Sequence, residues 1–90
     1  MLDLDDAALG APPGAIGLVG SIATTEGKAP GFLTVYPCAV GRPNVSNLNM
    51  NAGQTIANLF VSGADSDRKI CIFSLSSTQV IVDLEGWITS

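Results

Sequence analysis

Apolar and polar positions alternate with a period close to two in six short stretches of the chain, and turn-forming residues separate these stretches. β-Branched and aromatic side chains are frequent in them, which is typical of strands with one face in a core. The stretches cover residues 15–24, 32–38, 45–50, 55–61, 69–75 and 79–88. Short strands with this spacing predict an all-β fold, a small antiparallel β-sandwich or barrel of about six to seven short strands.

The first 14 residues differ from the rest of the chain. Acidic residues dominate the start, and the Gly-Ala-Pro-Pro-Gly segment at residues 10–14 favours an extended conformation over a helix. Helix is limited to a turn or two, around residues 5–9. We therefore predict a linker or N-terminal arm over residues 1–14 and a single β domain over residues 15–90.

The chain is rich in apolar residues and poor in charge. Of its 90 residues, 47% are hydrophobic and 13% are charged, and the net charge is −4 with no histidine. Disordered proteins combine low hydrophobicity with high charge, so this chain is predicted to fold. Its 4 basic residues are too few to follow a phosphate backbone, which argues against a nucleic-acid partner. No apolar run approaches the roughly 20 residues that cross a bilayer, so membrane insertion is not expected.

Two blocks of the sequence carry a resemblance to a known module. The first contains PGFLTVYPC at residues 30–38, RPNVSNLN at 42–49 and AGQTIAN at 52–58; the second contains KICIFS at 69–74 and VIVDLEGW at 80–87. Together they resemble a module that is repeated in large secreted proteins of actinobacteria and related soil and marine bacteria. The resemblance extends from about Ala15 to Trp87, most of the chain.

The resemblance implies an exported accessory module, extracellular or at the cell surface, beside catalytic or adhesive domains. It implies no catalytic residues. The modules that it resembles have an upstream segment similar to Arg-x-Leu-Asp-Thr-Arg, which residues 2–6 match poorly, and they close on tyrosine or phenylalanine where this chain has Trp87. These departures predict a shortened version without the first one or two strands. The acidic start does not resemble a signal peptide, so we expect the export signal outside this chain.

Cys38 and Cys71 are the only cysteines, and their separation of 33 positions excludes a CxxC redox or zinc motif. Two cysteines without histidine do not complete a zinc site. In a small domain from an oxidising compartment such a pair is most often a disulfide, and the alternative is two buried free thiols. We predict the disulfide.

Asparagine and aromatic residues are the candidates for ligand binding. Asn44, Asn47 and Asn49 recur within a few positions, and their amides could bind sugar hydroxyls, while Tyr36 and Trp87 could stack on a sugar ring. Each residue also has a structural interpretation, because asparagine stabilises turns and loop backbone, and aromatic side chains fill cores.

Two acidic pairs lack the companions that their chemistry needs. Asp65 and Asp67 could bind calcium, but the glycine and the downstream glutamate of a complete loop are missing, so a solvated turn and no metal are predicted. Asp83 and Glu85 lie two apart on one strand and cannot straddle a substrate as glycosidase carboxylates do. An exposed face that discourages edge pairing is predicted there. Without histidine no Ser-His-Asp set exists, so we predict no catalytic residue and no cofactor.

These observations predict a non-catalytic extracellular module with a structural or adhesive role, in contact with a cell-surface protein or another protein. The alternative is a carbohydrate-binding module that holds a glycan with asparagine amides and an aromatic platform. An apolar surplus in a shortened chain also predicts an unpaired sheet edge and a homo-oligomer. The competing possibility is that residues 2–9 fold back over this edge.

Overall fold

The computed structural model, which describes residues 1–41 and 48–89, contains two antiparallel sheets. The strands are β1 (Leu2–Asp3), β2 (Ala15–Thr25), β3 (Gly31–Pro37), β4 (Leu48–Met50), β5 (Ile56–Gly63), β6 (Lys69–Ser74) and β7 (Gln79–Thr89). One sheet has the order β1-β6-β3-β4 and the other β5-β2-β7. Single 3₁₀ turns lie at Ala7–Leu9 and Cys38–Val40. The prediction of a small antiparallel β-sandwich is confirmed.

The core lies between the two sheets. Because side chains alternate along a strand, every second residue of β2, β3 and β6 points inward. Leu18 and Ile22 of β2 meet Leu33 of β3 and Ile70 of β6, and all four are fully buried. Phe60 of β5 completes this centre with a side chain that is 3% exposed. Most of the buried apolar side chains that the structure describes belong to this cluster, so it is the main source of their hydrophobic stabilisation.

The N-terminal segment, for which the sequence predicts a linker or N-terminal arm, contacts the domain. Leu2 and Asp3 pair with Ile70 and Lys69 of β6, so β1 covers the free edge of that strand. Leu4 then enters the core with a 2% exposed side chain. Of the acidic residues that argued against such packing, Asp5 and Asp6 are exposed and Asp3 is half-buried. The fold-back over an edge is thus present, on the four-stranded sheet.

A buried hydroxyl marks the far end of the core. Thr24 of β2 is fully buried between the strand partners Ile56 and Val80, and its Oγ1 has no hydrogen-bond partner among the described residues. An unpaired hydroxyl in an apolar environment costs free energy that an apolar group of similar shape does not. The side chain fills space while its polar atom opposes folding.

Replacing this hydroxyl is expected to stabilise the protein. Thr24→Val keeps the branched shape and removes the unpaired oxygen, so the free energy of unfolding should rise by about 1 kcal/mol. Urea denaturation followed by circular dichroism measures the change. Thr24→Ala serves as the control, because it removes the same oxygen but also leaves a cavity, and it should destabilise the protein. A valine variant no more stable than the alanine variant would contradict the interpretation.

Candidate functional site

The outward side of the three-stranded sheet is apolar. Since Leu18 and Ile22 of β2 point into the core, the residues between them and their cross-strand partners on β5 and β7 point to solvent. We call this surface the outer sheet face. It consists of Val19 and Ala23 of β2, Ala57, Leu59 and Val61 of β5, and Ile81 of β7.

Three of these side chains are exposed to an extent that is unusual for their size. Leu59 is 68% exposed, Val61 is 66% exposed and Ile81 is 52% exposed. Asp83 and Gln79 of β7 bring polar side chains to the same side, opposite Ser21 and Thr25 of β2. Scattered apolar residues on a surface are ordinary, whereas a contiguous patch across three strands indicates an interaction surface.

The four-stranded sheet has an outward side of different chemistry. Leu33 and Val35 of β3 face the core, so Phe32 and Tyr36 face outward, and Phe73 of β6 lies beside them. The ring centroids of Phe32 and Phe73 are 5.9 Å apart with planes tilted by 42°, a favourable aromatic pair. We call this surface, Phe32, Tyr36 and Phe73, the aromatic face. Its rings are half-buried.

The structure separates the candidate ligand-binding residues. Asn49 of β4 pairs with Phe32 and is exposed beside the aromatic face, on which Tyr36 also lies. Trp87 belongs to the other sheet, where it pairs with the buried Leu18 and packs against the core. Tyr36 and Trp87 therefore do not form one platform. Asn44 and Asn47 lie outside the described residues.

The predicted disulfide is confirmed. Cys38 follows β3 directly and Cys71 lies on β6, with 4.9 Å between their Cα atoms, and no cysteine remains free. Cys71 is the cross-strand partner of Tyr36, so the bridge lies at the end of the aromatic face. It ties two adjacent strands at the point where the chain leaves β3 for a 3₁₀ turn.

Asp65 organises loop backbone. One carboxylate oxygen, Oδ1, accepts hydrogen bonds from the amides of Asp67 and Lys69 at 2.9 Å, and Oδ2 accepts one from the amide of Ala39 at 3.0 Å. The loop between β5 and β6 is thereby attached to the turn that follows Cys38. Within the described ranges, no group of three or more His, Cys, Asp or Glu side chains is arranged to hold a metal ion.

The acidic pair on β7 is divided by a bulge. Asp83 pairs with Ser21 of β2 on the outward side. The next two pairs are Leu84 with Gly20 and Gly86 with Val19, so Glu85 has no cross-strand partner on β2. A bulge of this kind bends an edge strand and increases its twist. Both carboxylates are exposed, and the strand that carries them forms one edge of its sheet.

Arg68 joins the N-terminal arm to the domain. Its Nη1 donates to the carbonyl oxygens of Pro13 at 3.0 Å and Ala15 at 2.7 Å, and its Nε donates to Oδ1 of Asp5 at 2.8 Å. Arg68, Pro13 and Ala15 border a cleft of about 340 Å³, which Asp65 also lines. Because the guanidinium and the Asp65 carboxylate are already hydrogen-bonded within the chain, the cleft offers little free polar capacity to a ligand.

Arg68→Ala is expected to lower the free energy of unfolding by about 1–2 kcal/mol, because the Pro13 and Ala15 carbonyls lose a charged donor. Arg68 has a φ of 62°, which is unfavourable for alanine as it is for arginine, because both residues carry a Cβ atom. The substitution therefore measures the loss of the guanidinium group. Asp5→Asn is the control and should cost less than about 0.5 kcal/mol, since this carboxylate is 65% exposed. Equal effects of the two variants in urea denaturation would show that the ion pair dominates.

Three features of the surface escape sequence analysis. Leu59 and Val61 alternate with Phe60 and Ser62, and both phases contain large apolar residues, so the pattern does not reveal which phase is covered. The Arg68 contacts join residues more than 50 positions apart. The ring pair of Phe32 and Phe73 requires the register between β3 and β6. The available signal for the first is that large apolar residues occur in both phases of β5, which indicates an exposed apolar face without showing which phase forms it.

In comparisons with known proteins, no family model, no curated protein and no solved structure matches this chain. In the described part of the chain, no helix has the length and apolar character needed to cross a membrane. The fold and the two surfaces therefore carry the functional argument.

Proposed function

We propose that this chain is a non-catalytic extracellular module with a structural or adhesive role, and that it makes protein–protein or surface contacts through the outer sheet face. The observation that carries the proposal is the exposure of Leu59, Val61 and Ile81 on one side of one sheet. Covering these side chains would remove apolar area from water, which is the main driving force of protein association.

The disulfide supports an extracellular location. Disulfides persist in oxidising compartments and are rare in the cytosol, and small secreted domains rely on them because their cores are limited. The Cys38–Cys71 bridge fits this pattern in a chain of 90 residues. The resemblance to a repeated module of secreted actinobacterial proteins supports the same location and an accessory role.

A second candidate is a carbohydrate-binding module, and one observation favours it. Asn49 is the cross-strand neighbour of Phe32, whose ring pairs with Phe73, so an amide and aromatic carbon lie side by side on the aromatic face. Sugars are bound by this combination of stacking and hydrogen bonding. The half-buried state of the rings and the position of Trp87 on the other sheet make the site smaller than the one predicted.

An attachment assay separates the two candidates. Beads coated with the chain are incubated with actinobacterial cells, untreated or treated with protease or with glycosidases. We expect attachment that protease removes and that Leu59→Lys/Val61→Lys abolishes, since lysine ammonium groups would be desolvated in the contact. Attachment that glycosidases remove and Asn49→Ala weakens would favour the carbohydrate-binding candidate, and a glycan array would then identify the sugar.

The matched control is Val40→Lys/Leu75→Lys. These residues are 71% and 57% exposed, and they lie off the outer sheet face, so the control makes the same change in charge and apolar area elsewhere. It should leave attachment unchanged. A loss of attachment in both double variants would show an effect of net charge alone and would contradict the proposal, as would attachment that neither variant reduces.

A further inference from the structure

Among the strands that the structure describes, β7 forms a long edge of its sheet with no further strand beside it. The strand extends over Gln79–Thr89 at one end of the three-stranded sheet, whereas the outermost strands of the other sheet, β1 and β4, have 2 and 3 residues. Side chains on both sides of β7 are exposed: Val80 is 38%, Ile81 is 52% and Leu84 is 39% accessible. A long apolar edge with unpaired backbone groups is a template for another strand.

The first five residues of β7 have a polarity that is symmetric about Ile81. Residues 79–83 read Gln-Val-Ile-Val-Asp, with three apolar residues between two polar ones. In an antiparallel pair of identical strands related by a twofold axis, positions equally far from the axis face each other. A segment with symmetric polarity is therefore complementary to a second copy of itself.

We propose that β7 pairs antiparallel with β7 of a second copy of this chain, with Ile81 on the twofold axis. The two three-stranded sheets then join into one continuous sheet of six strands. This inference rests on the proposed contact function and names one partner for the same sheet, the chain itself.

Charge favours this register over one centred on Leu84. With Ile81 on the axis, Val80 faces Val82 of the second copy, and Gln79 faces its Asp83, so an amide donor meets a carboxylate acceptor at each end of the apolar segment. An axis at Leu84 would place Asp83 directly opposite Glu85 of the second copy, and like charges in cross-strand positions are destabilising. The carboxylates thus disfavour the axis at Leu84, whereas the axis at Ile81 brings no like charges into cross-strand positions.

Pairing at β7 also extends the outer sheet face. Ile81 of each copy contributes to that face at the junction, so the apolar surfaces of the two copies become contiguous while Leu59 and Val61 stay exposed at the distant strands. The joined outer sheet face is larger than that of one copy. The area that it can bury against a partner is therefore closer to the roughly 800 Å² per partner that stable interfaces bury.

The first test is the molar mass of the whole chain by light scattering and sedimentation at micromolar concentrations. We expect a mass approaching twice the 9.2 kDa of one chain, and a return to one chain for Ile81→Lys, because two ammonium groups would meet on the axis. Leu59→Lys is the matched control on the same face, on the opposite edge strand, and should remain dimeric. Thermal unfolding confirms that each variant is folded.

The second test reports on the register. Ile81→Cys should cross-link to itself under mild oxidation, because Cα atoms across an antiparallel pair are about 4.5–5.5 Å apart, within the range that a disulfide bridges. Leu59→Cys should not cross-link. Gln79→Lys should tighten the dimer and Gln79→Glu should loosen it, each by roughly threefold to tenfold, since both ends of the pair change together.

Each other outcome overturns the inference in a recognisable way. A mass of one chain at every concentration excludes the pairing but leaves the attachment assay with Leu59→Lys/Val61→Lys as an independent measure of the proposed function. A dimer that Leu59→Lys dissociates and Ile81→Cys does not trap would be a face-to-face contact instead of an edge pair. Equal responses to Gln79→Lys and Gln79→Glu would exclude the register.

Discussion

Replacing both bridge cysteines, in Cys38→Ser/Cys71→Ser, is expected to lower the free energy of unfolding by about 3–4 kcal/mol. The bridge closes a loop over a sequence separation of 33, and without it the unfolded chain regains the conformations that the closure excluded. For a domain of this size the midpoint of thermal unfolding should fall by roughly 15–30 °C. Circular dichroism during heating measures the shift.

The control for this prediction is reduction of the unmodified chain. A thiol reductant at a concentration that opens the bridge should reproduce the lower midpoint, and it should not shift the midpoint of the double serine variant, which has no bridge to open. A loss below about 1 kcal/mol in both experiments would show that the unfolded chain is already constrained near this loop, contrary to the entropic argument.

Gly17→Ala is expected to cost about 2–3 kcal/mol, through a clash that neighbouring backbone cannot easily relieve. A Cβ atom on Gly17 would lie 2.5 Å from the Ser62 carbonyl oxygen and 3.0 Å from the Gly63 Cα, both on β5. Either the β2–β5 pairing shifts or the strand bends, and hydrogen bonds of the ladder weaken in both cases. Urea denaturation gives the loss as a lower midpoint with an unchanged slope.

Gly86→Ala provides the matched control for that clash. Gly86 also lies in the three-stranded sheet, on β7, but a Cβ there would meet nothing within 4 Å. Its replacement should change stability by no more than about 0.5 kcal/mol, or stabilise the strand slightly by restricting the unfolded chain. Similar losses in the two variants would indicate a general effect of alanine in this sheet and would contradict the close approach of β2 and β5.

The N-terminal segment shows where composition misleads. Three aspartates and two prolines in the first 14 residues favour a linker or N-terminal arm, and the acidic side chains of Asp5 and Asp6 are exposed. Leu4, which lies between two aspartates, is nevertheless buried in the core. Arg68, which is 55 positions away in sequence, donates a hydrogen bond to the Pro13 carbonyl oxygen of the same segment. Average polarity describes a segment, whereas burial is decided one side chain at a time.

The sequence by itself determined the fold class, the disulfide and the strands β2 to β7, but not β1. Strand formation depends on alternation and turn residues, which are local and visible along the chain, and the predicted stretch at residues 15–24 matches β2 (Ala15–Thr25) closely. Cys38 and Cys71 had no companion other than each other. For Asn44 and Asn47 the interpretation remains a prediction from sequence.

Tertiary structure alone decided which faces are covered. Leu59 and Phe60 are adjacent and similarly apolar, yet one is 68% and the other 3% exposed, because only the side of β5 that faces the second sheet meets a partner. The same non-local arrangement put Tyr36 and Trp87 on different sheets and brought Arg68 to the Pro13 carbonyl. Periodicity states that two faces exist, and only the packing of strands distant in sequence determines which of them becomes the core and which is left for a partner.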